Sequence, residues 1–216
     1  MGENLTQEQK IILDQVKEDS FLTSRYYFTG GTALSAFYLN HRYSEDLDFF
    51  SEEKFDSQTI LKLVSGWGEK FNFHFTSKLT EVVYIFELEF EDGNKLKVDF
   101  GHYPYKRVEQ GSKYGSLEVD SELDIAINKL LTISQRTDVK DFVDLYFLLR
   151  KYSLWDLVEG RKVKFRMKTE PVLLAMDFLK VEDFEQLPKM IKPLQLEQLR
   201  AFFREEAKKI SRQSIE

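Results

Sequence analysis

Between Phe71 and Phe100 the apolar residues stop recurring every three or four positions and recur every second one. Phe71, Phe73 and Phe75 alternate, then Tyr84, Phe86, Leu88 and Phe90, then Leu96, Val98 and Phe100. A side-chain period of two belongs to strands buried on one face. Asp92-Gly93-Asn94 separates the last two runs and reads as a hairpin turn. Helical spacing flanks this block. It covers Leu5 to Phe21, with Thr6, Glu8 and Gln9 at its start, and Ile60 to Phe71, begun near Asp56-Ser57. Gly111 to Gly115 reads as loop. From Ser121 onward the chain reads as helix, with Ser121 and Asp124 forming a cap-like start, and later helices over Thr137–Leu149, Thr169–Leu179 and Leu196–Ile210. The pattern predicts an α+β chain: an α+β half over residues 1–118, then an all-helical half over 119–216.

Composition excludes several classes. The 216 residues contain no cysteine, so disulfides and thiolate zinc sites are ruled out. Three scattered histidines leave little for a histidine-based metal centre. No run approaches the ~18 apolar residues of a membrane span, and the polar N-terminus lacks an apolar signal core, so a cytoplasmic protein without membrane association is expected. The opening Met1-Gly2 superficially fits a short myristoylation pattern. A net charge of −6 argues against non-specific binding to nucleic acid, but it is uneven: residues 150–216 carry 15 basic and 11 acidic side chains, the rest 16 and 26.

The chemistry concentrates between Phe28 and Phe50, FTGGTALSAFYLNHRYSEDLDFF. Tyr26, Tyr27 and Phe28 form a short strand that ends at Gly30-Gly31. Thr32 can cap the helix that follows. Glycines before a helix start let a phosphate approach free N–H groups, although the same sequence suits a plain strand-to-helix turn. Asp46 and Asp48 flank Leu47. On a strand, residues two apart share a face, so both carboxylates project together opposite Leu47 and Phe49. Adjacent carboxylates repel unless a cation sits between them, and an all-oxygen set suits Mg²⁺ or Mn²⁺. A solvent-exposed strand face is the alternative. Asp99 shares a polar face with Lys97, and would be a third ligand if its strand pairs near Asp46 and Asp48. Three carboxylates suit a two-metal phosphoryl-transfer site. Lys129 lies at the edge of an apolar helix stripe, where it could reach a phosphate. Asp141 and Asp144 share a helix face, with Lys140 placed to pair with Asp144. Surface salt bridging accounts for these three equally simply.

GGTALSAFYLNHRYSEDLDFF resembles the signature of the nucleotidyltransferase AbiEii/AbiGii toxin family, within the DNA polymerase β-like nucleotidyltransferase superfamily. Val98-Asp99-Phe100 with His102-Tyr103-Pro104 resembles its third-carboxylate strand. Asn128-Lys129-Leu130 resembles its lysine motif, and Arg136 with the segment Lys140 to Tyr146 its arginine–aspartate helix. The resemblance extends through Pro193-Leu194 and Phe202-Phe203, so it covers most of the chain. It departs where Lys140 precedes Asp141 in place of arginine, and where Thr32 stands in place of serine.

The resemblance implies a nucleotidyltransferase-fold core, a mixed sheet with flanking helices followed by a C-terminal helical bundle, and a metal-dependent enzyme. Such an enzyme moves NMP from an NTP to an acceptor and releases pyrophosphate. Gly30, Gly31 and Thr32 would bind the triphosphate, with Arg42 and Ser44 supporting that loop. Asp46, Asp48 and Asp99 would hold Mg²⁺ or Mn²⁺, and Asp99 could help deprotonate the acceptor. Lys129 would contact the triphosphate, and Asp141 and Asp144 would belong to the nucleotide site. The nucleotide is expected between the two halves. The implied partners are the NTP, an acceptor (RNA such as tRNA, or protein hydroxyls) and a cognate antitoxin. Small-molecule modification of the antibiotic-resistance type, and a non-catalytic nucleotide-binding module, are the alternatives.

Overall fold

A computed structural model describes residues 4–54 and 56–213. Met1-Gly2, with the myristoylation pattern, lies outside them. The chain divides into two compact units. The first comprises residues 1–38, 44–106 and 110–120; the second comprises 39–43, 107–109 and 121–216.

The first unit is built on a seven-stranded mixed sheet in the order β3-β4-β5-β2-β1-β7-β6. Its strands are β1 (Tyr27–Thr29), β2 (Leu47–Ser51), β3 (Phe73–Leu79), β4 (Val83–Phe90), β5 (Lys95–His102), β6 (Lys113–Tyr114) and β7 (Leu117–Val119). The alternating block becomes β3, β4 and β5, paired antiparallel in sequence. The register then crosses over: β2 runs parallel to β5 and antiparallel to β1, and β1 runs parallel to β7. Gly111 to Gly115 is not loop throughout. Lys113 and Tyr114 form the edge strand β6, which is too short for any periodicity to show.

Helices α1 (Gln7–Glu18), α2 (Ser20–Thr23), α3 (Gly30–Leu34) and α4 (Ser57–Phe71) complete this unit. Thr6 caps α1 in a reciprocal capping box with Gln9, which is why this polar start holds. Asp56 caps α4, accepting from the N–H groups of Gln58 and Thr59. Phe28, Phe49, Phe86 and Phe100 are wholly buried and form the aromatic centre of the core. Phe49 stacks on Phe100 with ring centroids 5.3 Å apart. Burying such rings is worth ~1.5–3 kcal/mol each.

The second unit is helical: α5 (Glu122–Gln135), α6 (Val139–Leu148), α7 (Leu154–Phe165), α8 (Pro171–Leu179) and α9 (Leu196–Gln213). Ser121 caps α5, accepting from the Asp124 N–H. Helix α7 had no counterpart in the sequence pattern, for a physical reason. Two of its buried positions are Arg161 and Lys164, so its inward face does not read as apolar. Lys164 is tolerated there because its Nζ lies 2.6 Å from the buried Asp124 carboxylate.

Candidate active site

Strand β1 delivers the chain to Gly30, whose φ of +78° suits glycine. Glycine is required for a second reason: a Cβ there would stand 2.1 Å from Asp48 Oδ2. The glycine turn and the second aspartate are therefore in contact. Helix α3 begins at Gly30 itself, with Thr29 at the cap position and no side-chain cap bond. Thr32 is thus inside the helix and not its cap. Its buried hydroxyl donates to the Asp46 carbonyl, tying the helix to the start of β2.

Asp46 immediately precedes β2 and Asp48 lies within it. The burial of β2 alternates, with Leu47 and Phe49 fully buried and Asp48 half-exposed. Asp48 is the register partner of Asp99 on β5 and of Thr29 on β1. Register partners project on the same face, so the third carboxylate stands beside the second.

Asp99 is nearly buried, and its Oδ1 has no hydrogen-bond partner among the described residues. Its Oδ2 accepts from Lys97 Nζ at 2.5 Å. Burial raises the Asp99 carboxyl above the usual carboxylate range; Lys97 opposes this and Asp46 adds to it. Burial pushes the Lys97 ammonium down, but Asp99, Asp46 and Asp48 outweigh it and hold the group above its ordinary value. Among the described residues no three His, Asp or Glu side chains are already gathered to hold a metal ion. The donor set nonetheless fits a hard cation. Its ligands are all oxygen and one buried carboxylate oxygen is unsatisfied, while the Lys97 ammonium occupies the other and would compete with a cation there.

The remaining predicted residues come together in the second unit, and none is a surface salt bridge. Asp141 and Asp144 are fully buried and Lys129 is 8% exposed. Lys129 Nζ lies 2.7 Å from Asp141 Oδ1 and 2.6 Å from Asp144 Oδ2. Arg136 donates to both oxygens of Asp141, at 2.7 and 3.1 Å. Asp144 pairs with Arg42 and not with Lys140, because its side chain points inward. Arg42 Nε and Nη2 donate to its two oxygens at 2.6 and 2.8 Å, a bidentate fork. Arg42, expected to support the glycine loop, thus makes a buried bidentate pair with Asp144.

His41 Nε2 lies 2.7 Å from Asp144 Oδ1 and its Nδ1 has no partner among the described residues. Burial depresses the His41 pKa despite Asp144. A neutral ring with its proton on Nε2 satisfies that geometry. Burial raises Asp144, but Lys129 and Arg42 more than reverse it and hold the carboxyl well below the usual range. The pairing of Arg42 with Asp144 spans a hundred residues of chain, and no local spacing signals it.

Residues 11–215 match the family described as nucleotidyl transferase AbiEii toxin, type IV toxin–antitoxin system. The chain belongs to the AbiEii nucleotidyltransferase family. Its activity is accordingly nucleotidyl transfer. An uncharacterised protein of Aquifex aeolicus is 35% identical over 163 residues, covering 74% of this chain and 73% of that protein. A candidate nucleotidyltransferase from H. pylori superposes with a TM-score of 0.60 at 22% identity, covering 99% and 97% of the two chains. MenT4, a nucleotidyltransferase toxin of Mycobacterium tuberculosis, superposes with a TM-score of 0.53 at 17% identity, over 97% and 85%. At these identities the two structures establish a shared fold with the AbiEii chain. No helix among its described residues is long and apolar enough to cross a membrane.

Proposed function

We propose that this AbiEii nucleotidyltransferase moves NMP from an NTP to an RNA acceptor, with a divalent cation at the carboxylates of the sheet. The observation that carries this reading is the register that sets Asp48 beside Asp99, with Gly30 packed against Asp48. It joins a phosphate-compatible turn to a pair of carboxylates, one with an unsatisfied buried oxygen.

Asp46, Asp48 and Asp99 would hold Mg²⁺ or Mn²⁺, which when bound supplies charge to the phosphates and lowers the pKa of a coordinated hydroxyl. The chain's own residues do the rest. The backbone at Gly30 and Gly31 receives the triphosphate, where the α3 N-terminus favours negative charge. Thr32 fixes Asp46 through its carbonyl. Lys97 yields Asp99 when the site is loaded. Asp99 would take the proton of the attacking hydroxyl. The acceptor oxygen bonds to the α-phosphorus, the bond to the bridging oxygen breaks, and pyrophosphate leaves. In the second unit, Asp141 and Asp144 hold the Lys129 ammonium charged. The toxin family implies a cognate antitoxin, and the proposed setting is the cytoplasm.

The test is end-labelling. Purified protein, Mg²⁺ and each of the four labelled NTPs are incubated with total tRNA and with cell protein. Labelled RNA from wild type, absent with Asp48→Asn, is the expected result. Label in protein alone would overturn the RNA acceptor. No label in either fraction, with equal NTP binding by wild type and Asp48→Asn, would overturn the active-site assignment.

A further inference from the structure

We propose that the acid face of the sheet carries a second element of the site. Phe50, Tyr103 and Tyr105 form a stacking platform for the base at the reacting end of the RNA acceptor. The inference rests on the RNA reading above and adds where that RNA is gripped.

Phe50 lies two residues beyond Asp48 on β2 and is the register partner of Gly101, two residues beyond Asp99 on β5. A period of two keeps all four positions on one face, with the rings ~7 Å along the strands from the carboxylates, a span one nucleotide can bridge. The lack of a side chain at Gly101 makes room for the ring. A Cβ there would stand 2.9 and 3.0 Å from two carbons of Phe50, so the phenyl lies across β5. Tyr103 continues the row, its N–H donating to the Ser51 carbonyl at 2.7 Å. The Phe50 and Tyr103 centroids are 5.0 Å apart at 32°. Tyr103 and Tyr105 are also 5.0 Å apart, at 69°.

These rings are not core. The sheet's opposite face buries Phe49, Phe86 and Phe100 completely, whereas Phe50 and Tyr103 are half-exposed and Tyr105 is 38% exposed. A row of partly solvated rings beside carboxylates matches the way proteins hold single-stranded nucleic acid, where each base stacks on an aromatic side chain. The exposed Lys106 follows directly and offers charge to a backbone phosphate.

The sheet order assigns the base to the acceptor and not to the NTP. Gly30 continues β1, on one side of Asp48, whereas Tyr103 and Tyr105 continue β5, on the other. Phosphates at Gly30 leave the β5 side for the acceptor. A protein hydroxyl has no base and gains nothing from such a row.

The probe is a single-stranded RNA decamer with 2-aminopurine at its 3′ end, titrated without NTP and read by fluorescence quenching. The same preparations are assayed for KM toward unlabelled RNA and toward the NTP, and their Tm is recorded. Tyr105→Leu is expected to weaken decamer binding about tenfold, the loss of one base stacked on an aromatic ring. It should raise KM for RNA alike and leave KM for NTP unchanged, and Tyr105→Phe should restore both. Because Tyr105 is partly exposed, the fold should survive both changes. A rise in KM for NTP with unchanged RNA binding would overturn the assignment, since the row would then hold the nucleotide's own base. RNA labelling by wild type with Tyr105→Leu unaffected would remove the platform and leave the proposed reaction standing. A wild-type protein that neither quenches the decamer nor labels RNA would remove both.

Discussion

The two carboxylate clusters of this AbiEii chain are opposites. Asp141 and Asp144 are fully buried, and every charge they carry is met by Lys129, Arg136 or Arg42 at 2.6 to 3.1 Å. Asp99 is nearly as deep, yet among the described residues one oxygen lacks a hydrogen-bond partner and the other accepts from Lys97. A buried ion pair stays stable only when all its hydrogen-bonding capacity is met. The first cluster meets that condition and the second does not. The helical cluster is built to be permanent, and the sheet cluster is incomplete by its own chemistry, in the way a ligand site is.

Removing the function of the sheet cluster gives the largest contrast. Asp48→Asn and Asp99→Asn should each slow NMP transfer about a thousandfold, ~4 kcal/mol of lost charge stabilisation. Stability should stay within about 1 kcal/mol of wild type or rise, because repulsion between acids is relieved. Initial rates of label incorporation and urea unfolding test this pair of outcomes. A large loss of stability would erase the distinction between the clusters.

Asp144→Ala should show the reverse weighting. It strands Arg42 and Lys129 in the interior, at a cost of about 3–5 kcal/mol. Urea denaturation should show a lowered midpoint with an unchanged slope. A midpoint within error of wild type would mean that water or rearrangement replaces the carboxylate, and that the network is not what holds this unit together.

Acid should separate the clusters further. The depressed pKa of His41 means that the unfolded chain takes up that proton first, so stability declines as pH falls below about 6.5. Asp141 and Asp144 are held below the usual carboxylate range. Their contribution is present above about pH 4 and is lost as pH falls through their folded values. Unfolding midpoints from pH 8 to 3 should therefore fall in two stages. The upper stage should vanish in His41→Asn.

The smallest stability effect belongs to Lys97→Met. The lysine side chain is 38% exposed, and a pair of that kind is worth ~0–1 kcal/mol. Its consequence should appear elsewhere: with the competing ammonium gone, Mn²⁺ should bind more tightly, by electron paramagnetic resonance titration without nucleotide. Weaker Mn²⁺ binding would mean that Lys97 supports the carboxylates and does not compete for them.

Much of the site was legible because its signals are local. Gly30-Gly31, the spacing of Asp46 and Asp48, and the alternation through Asp99 each follow from residues within a few positions. Burial of Leu47 and Phe49 on either side of Asp48 is what alternation requires. The helical cluster was legible only as residue types. Lys129, Asp141 and Asp144 suit exposed helix faces as well as a buried network, because charge alone does not fix depth. Helix α7 was hidden for the same reason, since Arg161 and Lys164 occupy inward positions.

The sequence by itself determined the periods, the turn at Gly30, the α+β succession and the family. Those are short-range steric and solvation preferences, repeated often enough to read. Tertiary structure alone decided three things. The parallel register of β2 on β5 placed Asp48 beside Asp99. The fold brought Arg42 and His41 to Asp144, more than a hundred residues away. It also laid Phe50 across Gly101 on the face of the acids. Each depends on pairing between distant segments, where the gain comes from burial and charge satisfaction across the fold and leaves no mark on neighbouring residues.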